Sequence, residues 1–199
     1  IYSPQEAQEV AFAIGRILRD TQKVMRGLGT IRQDINVSLP NGALIEIKGV
    51  QELELVSTVV DYEVQRQLNL IALKEELASR GITPAQLKAE FVDVTGLFQA
   101  TKSKVIRKAV DKKQKVLAVK LSGFNGLTGR ELMPNFRLGS ELSDYAKFWG
   151  RVGGIFHTDE VLANYGITPE EVKALREAVG AAEVDAVVFV ADTAENTHD

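Results

Sequence analysis

Hydrophobic and polar residues alternate with a period of two along residues 30–39. Because the side chains of a strand alternate between its two faces, this segment predicts a strand with one apolar and one polar face. The sequence Pro40-Asn41-Gly42 then favours a tight turn, since Asn and Gly tolerate turn conformations and Pro cannot continue a paired strand. Residues 44–48 alternate again. Together they predict a β-hairpin whose polar face carries Arg32, Asp34, Asn36, Ser38, Glu46 and Lys48.

Helical patterns lie on both sides of this hairpin. Ser3-Pro4-Gln5-Glu6 combines a capping Ser, a Pro suited to the first helical position and a Glu three residues after the Ser. It predicts a helix over residues 4–25. Apolar residues then recur at helical spacing over residues 51–79 and predict a long second helix that ends at Gly81.

Shorter elements are predicted in the second half. Strands are expected at residues 90–97, 115–121 and 185–191, with another beginning at residue 153, and helices at residues 102–110, 142–149 and 168–180. Residues 123–139 are interpreted as a glycine-rich loop. Intermingled strands and helices predict an α+β fold, with helices packed on a mostly antiparallel sheet. We expect two domains, residues 1–88 and residues 89–199.

Composition narrows the class of protein. With 45% hydrophobic and 26% charged residues, the 199-residue chain has the composition of a soluble globular protein. It has no cysteine, which excludes disulfides, thiolate metal sites and cysteine nucleophiles. No apolar run approaches the roughly 18 residues of a membrane span. Because the chain starts at Ile1 without a signal pattern, we interpret it as part of a longer protein.

The polar face of the hairpin is the first candidate site. Asp34 and Asn36 would aim two oxygen ligands in the same direction, and Glu46 could complete a site for a hard cation such as Mg²⁺. Arg32 and Lys48 could neutralise phosphate charge. A solvated face with cross-strand ion pairs explains the same pattern, because a short Asp-x-Asn alternation is common by chance.

A basic segment is the second candidate. Residues 102–120 contain eight basic residues and one acidic residue, although the formal net charge of the chain is −3. Such a segment could contact a nucleic-acid backbone or could be a solvated surface, and the sequence leaves both interpretations open. The candidate contacts are Lys102, Lys104, Arg107 and Lys108.

Other motifs give weaker signals. Residues 27–30 could cradle a phosphate, but they lack the known phosphate-loop patterns and favour a simple turn. Residues 157–160 bring His157 close to two acids, yet zinc usually takes three or four ligands and the only other histidine is His198, so we favour a structural role. We expect Trp149 to pack with its aromatic neighbours.

The hairpin and the helix after it resemble the GatB/GatE family, whose members are tRNA-binding and kinase subunits of tRNA-dependent amidotransferases. The resemblance rests on the run G-x-x-R-x-D-x-N-V-S, then G-x-x-x-E-I-K-x-V, and it continues through residues 63–67. The matching positions of the two runs are Gly29, Arg32, Asp34, Asn36, Val37, Ser38, Gly42, Glu46, Ile47, Lys48 and Val50.

The second half is similar to the GAD domain, an insertion shared with bacterial-type aspartyl-tRNA synthetases. The similarity is carried by residues 91–95, 101–104, 139–142 and 153–160. Within the family this insertion is typical of the archaeal-type GatE branch, because the GatB branch lacks it. The two resemblances together cover nearly all of the chain.

The resemblance implies a carbon–nitrogen ligase with glutamine as amido-N-donor. Such an enzyme uses ATP and Mg²⁺ to phosphorylate the γ-carboxyl group of Glu-tRNA(Gln), and ammonia then gives Gln-tRNA(Gln). The catalytic domain would contain an antiparallel sheet similar to that of glutamine synthetases. The ammonia would come from the asparaginase-like partner GatD, in a cytoplasmic heterotetramer of two GatD and two GatE subunits, without a membrane.

The resemblance also suggests roles for individual residues. It implies Asp34 and Glu46 as metal ligands, Arg32 and Asn36 as catalytic contacts, and Arg32 with Lys48 as ATP contacts. We expect these 199 residues to be inactive alone. The alternative is a non-catalytic module that binds tRNA or another protein chain and in which the polar hairpin face is structural.

Overall fold

Helices and antiparallel strands alternate along the chain, which confirms the predicted α+β class. The structure is a computed structural model that describes residues 1–27 and 29–193. The helices are α1 (Pro4–Asp20), α2 (Val56–Ser79), α3 (Lys104–Asp111), α4 (Leu138–Trp149) and α5 (Pro169–Ala178). The strands are β1 (Ile35–Val37), β2 (Ile45–Ile47), β3 (Phe91–Asp93), β4 (Lys115–Leu121), β5 (Glu131–Met133), β6 (Phe136–Arg137), β7 (Phe156–His157) and β8 (Ala186–Asp192).

The main chain divides into two compact units. The first consists of Ile1–Ala72 with Leu132–Pro134, and the second of Leu73–Glu131 with the described part of Asn135–Asp199. The division therefore falls inside α2. The domain limits that the sequence suggests, residues 1–88 and 89–199, stay a prediction.

The first unit contains α1, the β1–β2 hairpin and most of α2. Helix α1 begins as predicted, because the Ser3 hydroxyl accepts the N–H of Glu6 at 3.1 Å. It ends at Asp20 and not at residue 25, because Thr21 donates its hydroxyl to the carbonyl of Leu18 and Gln22 takes a φ of 58°. Strands β1 and β2 pair antiparallel and confirm the predicted hairpin, although each has three residues.

The second unit is built on a four-stranded sheet. Its strand order is β3-β4-β8-β7, and the pairings of β4 with β3 and of β8 with β4 and β7 are antiparallel. Strand β4 has the predicted limits. Helix α5 starts at the predicted signal, where the hydroxyl of Thr168 accepts the N–H of Glu171 and the Glu171 carboxylate accepts the N–H of Thr168.

The core of this unit lies on one face of the sheet. Cross-strand partners such as Ala118 and Phe189 point to the same side, where Ile106 of α3 and Leu175 of α5 are fully buried. The Phe189 ring stacks between two others, and the centroid distances are 5.9 Å to Phe98 and 5.3 Å to Phe156. Burial of these large apolar side chains is the main stabilising contribution in the unit.

Two predicted segments differ in the structure. The strand expected at residues 90–97 ends at Asp93, because its carboxylate accepts the N–H and the hydroxyl of Thr95 and turns the chain into a 3₁₀ helix, Thr95–Phe98. The loop expected at residues 123–139 contains β5 and β6, which are too short to show an alternating pattern. In the part of the chain that the structure describes, no helix has the length and apolar character of a membrane span.

Candidate functional site

The polar face predicted for the hairpin is present. Exposure alternates over residues 31–39, with Arg32, Asp34 and Asn36 exposed and Val37 only 6% exposed. Asn36 lies opposite Glu46 in the strand register, so the amide and the carboxylate share one side of the hairpin. Arg32 precedes β1 and belongs to the same exposed set. The predicted grouping of these side chains on one face is therefore confirmed.

Lys48 connects the two carboxylates of this face. Its ammonium lies 3.3 Å from Oε1 of Glu46 and 3.8 Å from Oδ2 of Asp34. The hydrogen bond and charge of Glu46, followed by the charge of Asp34, raise the pKa of Lys48. Because all three side chains are about half exposed or more, water screens their attraction, and the arrangement organises the face more than it stabilises the fold.

The donor set of this face suits a magnesium ion. Two carboxylates and one amide oxygen are hard ligands, and Mg²⁺ commonly takes one or two carboxylates and completes its shell with water and substrate phosphates. Within residues 1–27 and 29–193, no group of three or more His, Asp or Glu side chains is placed to hold a metal. The face can therefore offer Asp34 and Glu46 to Mg²⁺, with phosphate or water as the remaining ligands.

A cleft lies next to the hairpin within the first unit. It has a volume of about 490 Å³, and both Asp34 and Asn36 contribute to its lining together with Val10 and Ile14 of α1. A second cleft of about 510 Å³ is lined by Arg19 and Arg26, among others. The candidate face is thus bordered by open space of the size of a small ligand.

The turn at residues 27–30 is held by its own side chain. The hydroxyl of Thr30 donates to the carbonyls of Met25 and Gly27, at 3.0 Å and 2.7 Å. Gly27 and Gly29 both take positive φ, which explains the glycines without a ligand. The described residues of this segment therefore fit the turn interpretation.

A polar network on α2, which we did not predict from the sequence, supports the hairpin from its buried side. Glu63 and Gln67 are only 7% and 4% exposed. Arg66 donates two hydrogen bonds to Glu63, at 2.9 Å and 3.1 Å, and Gln67 donates to the Glu63 carboxylate and to the carbonyl of Val37. The spacing of Glu63, Arg66 and Gln67 by three and four residues is a helical-neighbour signal that could have revealed it.

The basic segment is only partly available to a ligand. Lys102, Lys104 and Lys108 are exposed on and before α3. Arg107 instead turns toward its own unit, where its guanidinium donates to the carbonyls of Gln99 and Thr101 at 3.0 Å and 3.2 Å. The structure thus brings the three lysines to the surface and gives Arg107 a role in holding the preceding turn.

His157 is buried, in agreement with a structural role. It is 5% exposed, and its Nε2 lies 3.4 Å from Oε1 of Glu160. Burial lowers the pKa of His157, although Glu160 and Asp159 act in the opposite direction. The Asp159 carboxylate accepts the N–H groups of Gly126 and Thr128, both at 2.9 Å, and so fixes the glycine-rich loop. His198 lies outside the described residues.

The expected packing of Trp149 is wrong. Trp149 is 70% exposed, and Phe148 and Tyr145 on the same helix are 75% and 58% exposed. Trp149 and Phe148 touch edge to face, with ring centroids 5.0 Å apart. Sequence proximity of the three rings did not reveal that they lie on the outer side of α4.

Comparison with known families identifies the family of this chain. The model of the GatB/GatE catalytic domain matches residues 1–122, and the model of the GAD domain matches residues 106–199. Because the first match includes the hairpin, its polar face and α2, the candidate site lies within the catalytic-domain segment. The chain belongs to the GatB/GatE family and carries a GAD domain.

The curated relatives share one name, that of the GatE component of glutamyl-tRNA(Gln) amidotransferase. The chain is 54% identical to the Pyrococcus furiosus protein over 191 residues, which are 96% of this chain and 30% of that protein. It is 54% identical to the Aeropyrum pernix protein over 198 residues and 56% identical to the Methanosarcina barkeri protein over 195 residues, in each case 98% of this chain. These matches cover 31% and 30% of the two relatives. The chain therefore spans less than a third of the length of the relatives it matches.

Proposed function

We propose that the exposed face of the β1–β2 hairpin forms one side of an ATP-dependent site that phosphorylates the γ-carboxyl group of the glutamyl residue on Glu-tRNA(Gln). The observation that carries the proposal is the grouping of Asp34, Asn36, Glu46 and Lys48 on one face of the segment that matches the GatB/GatE catalytic domain. The name of the relatives, glutamyl-tRNA(Gln) amidotransferase, supports the reaction and the substrate.

The proposed reaction has two steps. A γ-carboxylate oxygen of the glutamyl group attacks the γ-phosphorus of ATP, the bond from that phosphorus to the bridging oxygen breaks, and ADP leaves. Ammonia then attacks the resulting acyl phosphate, loses a proton and expels inorganic phosphate, which leaves the amide of Gln-tRNA(Gln). Neither step needs a covalent bond to the protein, so positioning and charge are what the chain contributes.

Each residue of the face has a role that follows from its chemistry. Lys48 and Arg32 bind phosphate oxygens of ATP, because both carry the positive charge that opposes the developing negative charge. Asn36 orients the reacting oxygen through its amide. Asp34 and Glu46 are the residues that would hold Mg²⁺, which supplies further positive charge to the phosphate oxygens when it is bound.

The proposal extends to the complete gene product that contains these residues. We infer that it acts in the cytoplasm with the ammonia-releasing protein GatD, as a heterotetramer with two copies of each chain. The hairpin face is open and supplies one side of a site. We therefore also propose that the 199 residues alone bind substrates weakly and do not turn over. An assay in which this chain alone formed Gln-tRNA(Gln) from ATP would contradict that statement.

The experiment that tests the proposal supplies ammonium directly, so that it does not depend on the ammonia-releasing partner. The complete gene product is incubated with Glu-tRNA(Gln), ATP and Mg²⁺, and formation of Gln-tRNA(Gln) is measured for the unchanged protein, for Asn36→Ala and for Lys88→Ala. Lys88 is an exposed lysine in the second unit and serves as the control. We expect a loss of about 100-fold for Asn36→Ala alone. Equal rates would favour the alternative, a module that binds tRNA or another protein chain without catalysis.

A second function is supported by the lysines of α3. Lys102, Lys104 and Lys108 are exposed and make no ion pair with the described residues, so they are free to meet phosphates. We propose that they contact the tRNA backbone and that Arg107, despite the prediction, contributes mainly by holding its own turn.

The salt dependence of tRNA binding tests this second function. Each neutralised phosphate adds about 0.7 to 0.9 to the slope of log K against log salt, so changing the three lysines to Ala should reduce the slope by about 2. Lys173→Ala on α5 is the control, because Lys173 is 79% exposed and lies in a different segment. An unchanged slope in the triple variant would exclude these lysines as phosphate contacts.

A further inference from the structure

One buried amide joins α2 to both strands of the hairpin. Gln67 donates from Nε2 to the carbonyl of Val37 at 3.3 Å and to Oε1 of Glu63 at 2.9 Å. Val37 is the last residue of β1 and pairs with Ile45 of β2. The amide therefore holds the main chain next to Asn36, directly beneath the candidate face.

The orientation of this amide is fixed by its neighbours. The Glu63 carboxylate can only accept hydrogen bonds, and it already accepts two from Arg66, so it defines which end of the Gln67 amide is the donor. The other end, Oε1, is buried and has no hydrogen-bond partner among the described residues. A buried acceptor without a partner is rare, which indicates that another requirement keeps the amide in place.

That requirement is visible at Gly42 in the hairpin turn. A Cβ atom at Gly42 would lie 2.3 Å from Oε1 of Gln67 and 3.3 Å from Cβ of Leu39. Gly42 does not take a positive φ, so its backbone conformation is open to other residues and the amide is what restricts the position. The turn that leads to β2 thus rests against Gln67.

We propose that Gln67 is a positioning residue that sets the height of the hairpin above α2 and thereby the geometry of the polar face; this inference rests on the function proposed above. Val37 and Gly42 are fixed by the same side chain, one on β1 next to Asn36 and the other in the turn before Glu46. The Val37 side chain is buried on the opposite side of the strand, so Gln67 acts through the main chain and does not touch the reacting groups.

A double-mutant cycle tests the contact. Gly42→Ala should lower the urea midpoint of unfolding because its new methyl group meets the amide, and Gln67→Ala should lower it because two hydrogen bonds are lost. The double variant should be more stable than Gly42→Ala alone, because removal of the amide makes room for the methyl group. Gln65→Ala is the control on the same helix, since the Gln65 amide hydrogen-bonds to Asp61, one turn earlier. Additive effects of the two changes would overturn the proposed contact.

The positioning role needs a measurement that stability alone would not change. We expect the rate per folded molecule of the complete gene product to fall about 10- to 100-fold in Gln67→Ala and to stay low in the double variant, since a displaced hairpin misplaces the reacting groups. Amide hydrogen exchange at Asn36 and Glu46 should rise in both. A normal rate per folded molecule, or unchanged exchange, would overturn the role. If the unchanged protein were inactive, the proposed function would fail, and the exchange at Asn36 and Glu46 would decide the positioning role alone.

Discussion

The ammonium of Lys48 lies 3.3 Å from the Glu46 carboxylate, two residues earlier in the chain, and so bridges to Asp34 on the other side of the hairpin. One cation thereby relates two carboxylates that come from separate strands. Because these side chains are exposed, the arrangement can open when a phosphate or a metal ion competes for the same groups. This relationship makes Lys48 the residue whose removal separates the catalytic from the structural interpretation of the face.

We expect Lys48→Met to reduce ATP-dependent formation of Gln-tRNA(Gln) by the complete gene product about 100-fold, because a charge that stabilises the transferring phosphoryl group is lost. The urea midpoint of unfolding should not change, since exposed ion pairs contribute little to stability. Lys88→Met is the matched control, because Lys88 forms a similarly exposed ion pair with Glu90 at 3.7 Å. Equal rates for the two variants would assign Lys48 a structural role only.

The hairpin shows how much of the site could be predicted. Its alternation and its Pro-Asn-Gly turn predicted the antiparallel pairing and the shared polar face, because strand periodicity and turn chemistry are local properties of the sequence. The buried contact between Gln67 and Gly42 joins positions 25 residues apart, and no local pattern encodes that kind of contact. The sequence also left open whether the face binds a metal or is simply solvated.

The ends of elements were less predictable for a similar reason. Helix α1 and strand β3 both stop at a side chain that hydrogen-bonds to the nearby backbone, Thr21 in the first case and Asp93 in the second. Such bonds compete with the regular structure and leave the periodic pattern unchanged. The exposure of Trp149 could not be predicted because it depends on which face of α4 meets the sheet.

Asp93 should make the second unit sensitive to strong acid. Its hydrogen bonds to Lys115 and Thr95 lower its pKa from 3.8 to about 2. Because the folded-state pKa is lowered, the stabilising contribution is complete above about pH 4 and is lost as the pH falls toward 2. Urea unfolding measured between about pH 5 and pH 2 should show a smaller loss of stability for Asp93→Asn than for the unchanged chain.

The control for this prediction is Asp144→Asn. Asp144 is also an exposed acid in an ion pair, with Lys147 at 3.2 Å, but it lies on α4 away from β3. It should leave the pH dependence of unfolding nearly unchanged. If Asp93→Asn and Asp144→Asn gave the same pH profile, the hydrogen bonds of Asp93 would not be the source of the acid sensitivity.

His157 should produce a second pH dependence at milder acidity. Burial lowers its pKa below the usual 6.5, so below that pH the unfolded chain binds more protons than the folded chain. The free energy of unfolding should therefore fall as the pH drops from about 7 toward 5, by at most about 1.4 kcal/mol per pH unit for one proton. His157→Asn should flatten this part of the profile. A slope that persisted in the variant would have to come from another group.

The fluorescence of the single tryptophan tests the position of α4 residues. Trp149 is 70% exposed, so its emission in the folded 199-residue chain should resemble that of tryptophan in water and shift little on unfolding in urea. Acrylamide should quench it almost as strongly before unfolding as after. Emission that was shifted to shorter wavelength and protected from acrylamide would show that the ring is buried.

Trapping of the acyl phosphate tests the central claim most directly. Hydroxylamine added to the complete gene product with Glu-tRNA(Gln), ATP and Mg²⁺ should convert the phosphorylated glutamyl group into a hydroxamate without any ammonia. We predict that Asp34→Asn and Glu46→Gln each reduce hydroxamate formation about 100-fold while the affinity for tRNA is retained. Hydroxamate formation at the unchanged rate in both variants would contradict the assignment of the hairpin face to the phosphorylation site.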